Sequence, residues 1–111
     1  MLKPGNYEVL VYHDSSGRSP YLDWLDELDW KTQQRISDRV RRLARGQFGD
    51  FKKLEANVYE LRLFVGPGYR VYFGDNKGKV ILLLNGGDKS TQSRDIKKAK
   101  EYWNNYLEDN I

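Results

Sequence analysis

The chain has 111 residues, with 19 Lys and Arg against 16 Asp and Glu, one histidine, no cysteine and a formal net charge of +3. Without cysteine there is no disulfide and no thiolate nucleophile; a lone histidine excludes a multi-histidine metal site and a paired-histidine ribonuclease site. The length fits one domain, 1–111, with a core large enough to fold without cross-links.

No apolar run approaches the roughly 18 residues of a membrane span. The longest, 80–84, has the length of a strand. Met1-Leu2-Lys3-Pro4-Gly5 leads into a polar segment rather than an apolar signal region. A cytoplasmic protein with no membrane partner is expected, and the lack of cysteine is compatible with a reducing compartment.

Residues 6–14 alternate and are rich in Tyr and Val, which predicts a first strand. Asp14-Ser15-Ser16-Gly17 reads as a turn. Ser19-Pro20 is a helix start, serine as N-cap and proline at the first helical position. Tyr21, Trp24, Leu25 and Leu28 then fall at i, i+3, i+4 and i+7 on one stripe. A second helix is predicted over 30–45, burying Ile36, Val40 and Leu43 and ending at Gly46. The two helices should form an antiparallel hairpin.

A loop is expected over 47–53. Then comes YELRLFVGPGYRVYF, residues 59–73, two alternating runs around Gly66-Pro67-Gly68. With a three-residue loop, Val65 faces Tyr69, Leu63 faces Val71 and Leu61 faces Phe73 on an apolar side. The other side carries Glu60, Arg62 opposite Tyr72, and Phe64 opposite Arg70. Asn76-Lys77-Gly78 is a further turn, and 79–84, apolar at every position from 80, is a central strand covered on both faces. After a loop over 85–92, Ser93 reads as the N-cap of a last helix with Ile96, Ala99 and Trp103 inside. The order β-α-α-β-β-β-α predicts a small α+β domain: a mostly antiparallel four-stranded sheet with an N-terminal helical hairpin and a C-terminal helix.

Charge is unevenly placed. Residues 19–30 carry Asp23, Asp26, Glu27 and Asp29 and no base, whereas the next helix carries Arg35, Arg39, Arg41, Arg42 and Arg45. Two solvated helix faces account for this, as do two partners of opposite charge. His13, at a strand end, reads as structural or exposed. No P-loop occurs, since no helix follows Gly66-Pro67-Gly68.

The remaining chemistry is cationic. Arg62 and Arg70 share a sheet face, Lys52 and Lys53 precede it, and Lys89 follows the last strand. Arginine forks hold phosphate bidentately, and exposed Phe64 and Tyr72 would stack bases. Cross-strand pairing of Arg62 with Glu60 explains the same residues without a ligand.

The run FKKL (51–54), then 59–73, then KVILLLNGGDKSTQSRDIKKAKEYW (79–103), together with SPYLDWLDEL (19–28), resembles toxins of the RelE/ParE superfamily, in the HigB-like branch of addiction-module killer proteins. The marks are Tyr59-Glu60-Leu61-Arg62, Tyr69-Arg70-Val71, and Gly86-Gly87-Asp88-Lys89 with Gln92. The resemblance implies the toxin of a type II toxin–antitoxin pair, held by a helix-turn-helix antitoxin in an oligomeric complex. It implies a metal-independent endoribonuclease, without cofactor, that cuts messenger RNA on the ribosome. The other activity in the superfamily is poisoning of DNA gyrase, with no active site.

The resemblance places Arg62 and Arg70 at the catalytic arginines, with Lys53 and Lys89 as further catalytic candidates. Lys52, Phe64, Tyr72 and Asp88 are the RNA-contact candidates. A lysine among arginines is a candidate base, because like charges favour its neutral form. Asp88 or Lys89 is left to supply the acid.

Overall fold

The computed structural model describes residues 2–110. In chain order it contains β1 (Glu8–Val11), α1 (Pro20–Asp26), α2 (Trp30–Ala44), β2 (Phe51–Glu55), β3 (Val58–Arg62), β4 (Arg70–Asn76), β5 (Val80–Gly87) and α3 (Gln92–Asp109), with a 3-10 turn at Lys89–Thr91 before α3. The strands form one five-stranded sheet in the order β1-β5-β4-β3-β2. β1 runs parallel to β5, and the other pairings are antiparallel.

The α+β class is as expected, but the sheet gains a strand. β2 takes the last three residues of the segment read as a loop, 51–53, and continues to Glu55. FKKLE has no apolar alternation to announce a strand, and its side chains are mostly exposed at the sheet edge. Its backbone pairs with β3, Lys52 opposite Glu60 and Lys53 opposite Tyr59. An edge strand with lysines also resists pairing with other sheets.

The helix signals act as read. Ser19 Oγ accepts from Leu22 N at 3.1 Å, with Pro20 in the first turn. Gly46, at φ +82°, ends α2, and Gln47 N donates to Arg42 O at 2.9 Å. The last helix begins earlier than Ser93: Asp88 caps the 3-10 turn, accepting from Ser90 N at 2.8 Å, and the turn runs into α3.

The sheet is covered on both faces. On one, α1 and α2 bury Tyr21, Ile36, Val40 and Leu43 against Tyr59, Leu61, Val71, Phe73, Ile81 and Leu83. On the other, α3 lays Ala99 and Trp103 on Val58, Tyr72, Leu82 and Leu84. β5 therefore contributes to both cores, as its continuous apolar run predicts. Each large side chain so buried contributes about 1.5–3 kcal/mol. Two tryptophan rings pack directly against glycines of the sheet. A Cβ on Gly86 would run into the Trp24 ring, and one on Gly74 into Trp103. Among the described residues no helix is long and apolar enough to cross a membrane.

The β3–β4 register differs from the expected one by two residues. Leu61 lies opposite Val71, Glu60 opposite Tyr72, and Arg62 opposite Arg70. Leu63 N still donates to Tyr69 O at 3.0 Å, and a tight turn closes from Val65 to Gly68 at 3.1 Å. Gly66 and Gly68 both have positive φ, +53° and +79°, so the connection is longer than Gly66-Pro67-Gly68 alone. A shift of two keeps every side chain on its expected face. It moves Phe64 out of the sheet and sets the arginines directly across from each other.

Candidate active site

β3 and β4 place Glu60, Arg62, Arg70 and Tyr72 on the α3 face, toward the end where α3 begins. Glu60 is fully buried. Its Oε1 accepts from Arg62 Nε at 3.0 Å, and its Oε2 from Tyr72 OH at 3.2 Å and Gln92 Nε2 at 2.9 Å. Arg70 Nε lies 3.6 Å from the same Oε2, as an ion pair without a hydrogen bond. Arg70 Nη1 donates to Gly68 O at 2.7 Å. One buried carboxylate thus holds two arginines.

Burial by itself would raise the Glu60 pKa. Hydrogen bonds from Gln92, Arg62 and Tyr72, with the Arg62 charge, outweigh it and hold the carboxyl below its ordinary value. Burial, then the neighbouring Glu60 charge, pushes the Tyr72 phenol far above its ordinary value. At neutral pH the carboxylate is ionised and the phenol donates to it. Arg62 spends its Nε on Glu60, and that bond uses neither of its terminal nitrogens. The side chains of Arg62 and Arg70 remain 29% and 13% accessible. The pairing of Arg62 with Glu60 and the presentation of guanidinium edges on one face are therefore compatible.

The structure brings some of the expected residues together. Lys52, exposed and opposite Glu60, shares the arginine face. Lys89 N donates to Pro67 O at 3.4 Å. A Cβ on Gly68 would stand 3.2 Å from Arg70 Nη1 and 3.5 Å from Lys89 Cβ, so Lys89 and Arg70 flank that glycine.

Other expectations change. Lys53 pairs with Tyr59, whose ring belongs to the α1–α2 core, so alternation directs Lys53 to the face opposite the arginines. Tyr72 is fully buried beneath α3 and offers no ring to a base. Phe64 is 82% exposed, but it sits in the loop rather than across from Arg70. The Asp88 carboxylate caps its own turn. A hydrogen bond from the Ser90 hydroxyl, at 2.5 Å, is the main cause that holds its pKa below the ordinary value, so it is not a proton donor at neutral pH. His13 is exposed, its Nδ1 3.0 Å from Val11 O.

Glu60 and Gln92 are the site members that residue-type reasoning did not assign. The sequence marks Glu60 as a partner of Arg62 and, like Gln92, as part of the resemblance, without a role in the site. Among the described residues, no group of His, Asp and Glu is arranged to hold a metal ion.

Residues 23–104 match the family described as phage-derived protein Gp49-like (DUF891). A protein of Haemophilus influenzae, described as uncharacterized, is 46% identical over 78 residues, which is 69% of this chain and 79% of the relative. The match begins within α1 and ends within α3, so it takes in the whole arginine face. The chain belongs to the Gp49-like family, a family of toxin–antitoxin toxins of the RelE/HigB kind.

Proposed function

We propose that this chain, 1–111 as one toxin domain of the HigB-like branch, is a ribosome-dependent endoribonuclease that stops translation by cutting messenger RNA. The observation that carries the reading is the arginine pair: two guanidinium groups on adjacent strands, fixed by one buried carboxylate, with Lys52 and Lys89 at their margins. A preorganised pair of this kind suits the dianionic phosphorane that forms when a 2′-hydroxyl attacks its own phosphate.

In this reading Arg62 and Arg70 hold the phosphate oxygens. Lys52, in place of Lys53, stands as the base toward the 2′-hydroxyl. The Lys89 ammonium returns a proton to the leaving 5′-oxygen. The products are a 2′,3′-cyclic phosphate and a free 5′-hydroxyl, so no metal or cofactor is required. Two lysines are a weak acid–base set, and each such group contributes about 10²- to 10⁴-fold when well matched. The ribosome supplies the rest by holding the message with its 2′-hydroxyl in line. The setting is the cytoplasm, and the silencing partner is a helix-turn-helix antitoxin through which the complex oligomerises.

The test is induced expression with mapping of RNA 5′ ends and plasmid supercoiling over time. New 5′-hydroxyl ends within translated messages, before any loss of supercoiling, support the nuclease. Loss of supercoiling with intact messages assigns the chain to gyrase poisoning.

A further inference from the structure

A groove of about 590 Å³ lies between α2 and the connection from β3 to β4. Arg35, Arg39 and Arg42 line it from the helix, and Arg62, Leu63 and Phe64 from the other side. Arg35, Arg39 and Arg42 follow i, i+4, i+7 spacing, one face of a helix, and span about 10 Å along its axis. Arg39 is the floor. It is 8% exposed and donates to the carbonyls of Gln47 and Phe48. Gly49 makes room for it, since a Cβ there would run into the guanidinium.

The groove has a surplus of positive charge. Of its two carboxylates, Asp38 is engaged by Arg41, and Asp50 acts on Arg39. Burial, then the nearby Arg42 charge, lowers the Arg39 pKa. Phe64, at the rim, is the most exposed large apolar side chain among the described residues. Arg62 borders both places: its Nε is bound to Glu60, and the residue, whose N donates to Asp50 O at 3.0 Å, also borders the groove.

We propose that this groove binds single-stranded RNA, its phosphates on Arg35 and Arg42 and one base stacked on Phe64, and hands the strand to the arginine pair through Arg62. The hand-over rests on the nuclease reading; the binding does not. An exposed ring beside guanidinium groups suits a nucleotide better than an acidic peptide, because a base stacks and a carboxylate side chain does not. Phosphate contacts carry affinity without sequence preference.

The test is fluorescence anisotropy of a labelled short oligouridylate, 2′-O-methylated so that it cannot be cut, titrated with the full chain over a range of salt. Arg35→Ala/Arg42→Ala should weaken binding about tenfold or more. It should flatten the slope of log affinity against log salt by about 1.4, roughly 0.7 for each single-strand phosphate no longer neutralised. Phe64→Ala should weaken binding at least about fivefold. Arg18→Ala/Lys98→Ala, which removes the same charge elsewhere, should stay within about twofold. Circular dichroism checks the fold of each variant.

Equal losses in the two double variants would overturn the site. So would a glutamate-rich peptide that binds as tightly as the RNA, depends on Arg35 and Arg42, and ignores Phe64→Ala; the groove would then be a seat for an acidic protein segment. Failure of the two readings is separable. Unchanged RNA affinity in Arg35→Ala/Arg42→Ala, with message still cut on ribosomes, removes the groove and keeps the nuclease. Groove-dependent binding by a chain that cuts nothing removes the nuclease and keeps the groove.

Discussion

Gln92, in the first turn of α3, donates to the Glu60 carboxylate of β3 across 2.9 Å. The same carboxylate receives Arg62 and Tyr72, so the docking of the C-terminal helix and the geometry of the arginines meet in one group. Glu60→Gln keeps the shape and removes the charge. It should cost about 2 kcal/mol in urea unfolding, the scale of a hydrogen-bonded buried charge left uncompensated. A loss below about 0.5 kcal/mol would mean that the carboxylate does not organise this region.

The same group sets an acid limb. Its folded pKa lies below the ordinary 4.5, so near that pH the unfolded chain binds more protons than the folded one. The stabilisation is complete above about pH 4.5 and is lost as pH falls through the lower folded value. The advantage of wild type over Glu60→Gln should therefore shrink toward about pH 3. An advantage that does not shrink as pH falls below 4.5 would contradict a lowered Glu60 pKa. At the other end, burial pushes Tyr21 up to about 12 from 10.0, so stability is full below pH 10 and declines as pH rises toward 12.

Arg62→Ala and Arg70→Ala should each lower the rate of message cutting on the order of 10²-fold, the usual loss for one charge-assisted contact to a transition state. Arg70→Ala should also cost more stability, because Arg70 is the more enclosed and ties down Gly68. Arg70→Lys restores charge without the fork and should remain impaired. Arg18→Ala, on an exposed arginine paired with Asp23, should leave toxicity unchanged. Full toxicity in both sheet variants, with protein levels equal, would remove these residues from the chemistry.

The two lysines of β2 provide a sharper comparison, since they are adjacent in sequence and directed to opposite faces. Lys52→Ala should reduce cutting on programmed ribosomes at least about tenfold, and Lys53→Ala by less than about threefold. The reverse order would show that the edge strand twists enough to bring Lys53 to the arginines.

Much of the fold was legible because its signals are local. Ser19-Pro20 starts α1 and Gly46 stops α2 through their own backbone chemistry. The 80–84 run reports burial on both faces without reference to any neighbour. That Arg62 and Arg70 share a face was legible because alternation alone puts both on the less apolar side of the hairpin. β2 was missed because what makes FKKLE a strand is the backbone of β3, not its own side chains. The register slipped by two because residue types do not show how many residues Gly66 and Gly68, both at positive φ, draw into the loop. Tyr72 was assigned to the correct face, but alternation does not say that α3 covers it. Gln92 lies 32 positions from Glu60, and only the folded chain brings them together.

The most direct measurement is cleavage by the purified chain of one message, free and on programmed ribosomes, at the same low enzyme concentration. Rapid cutting on the ribosome is expected, with 5′-hydroxyl ends, loss of that activity in Arg70→Ala, and very slow cutting of the free strand. Equal cutting of free and ribosome-bound message would mean that the chain carries a complete acid–base pair of its own. No cutting of either would mean that Arg62 and Arg70, held by Glu60, serve something other than phosphodiester chemistry.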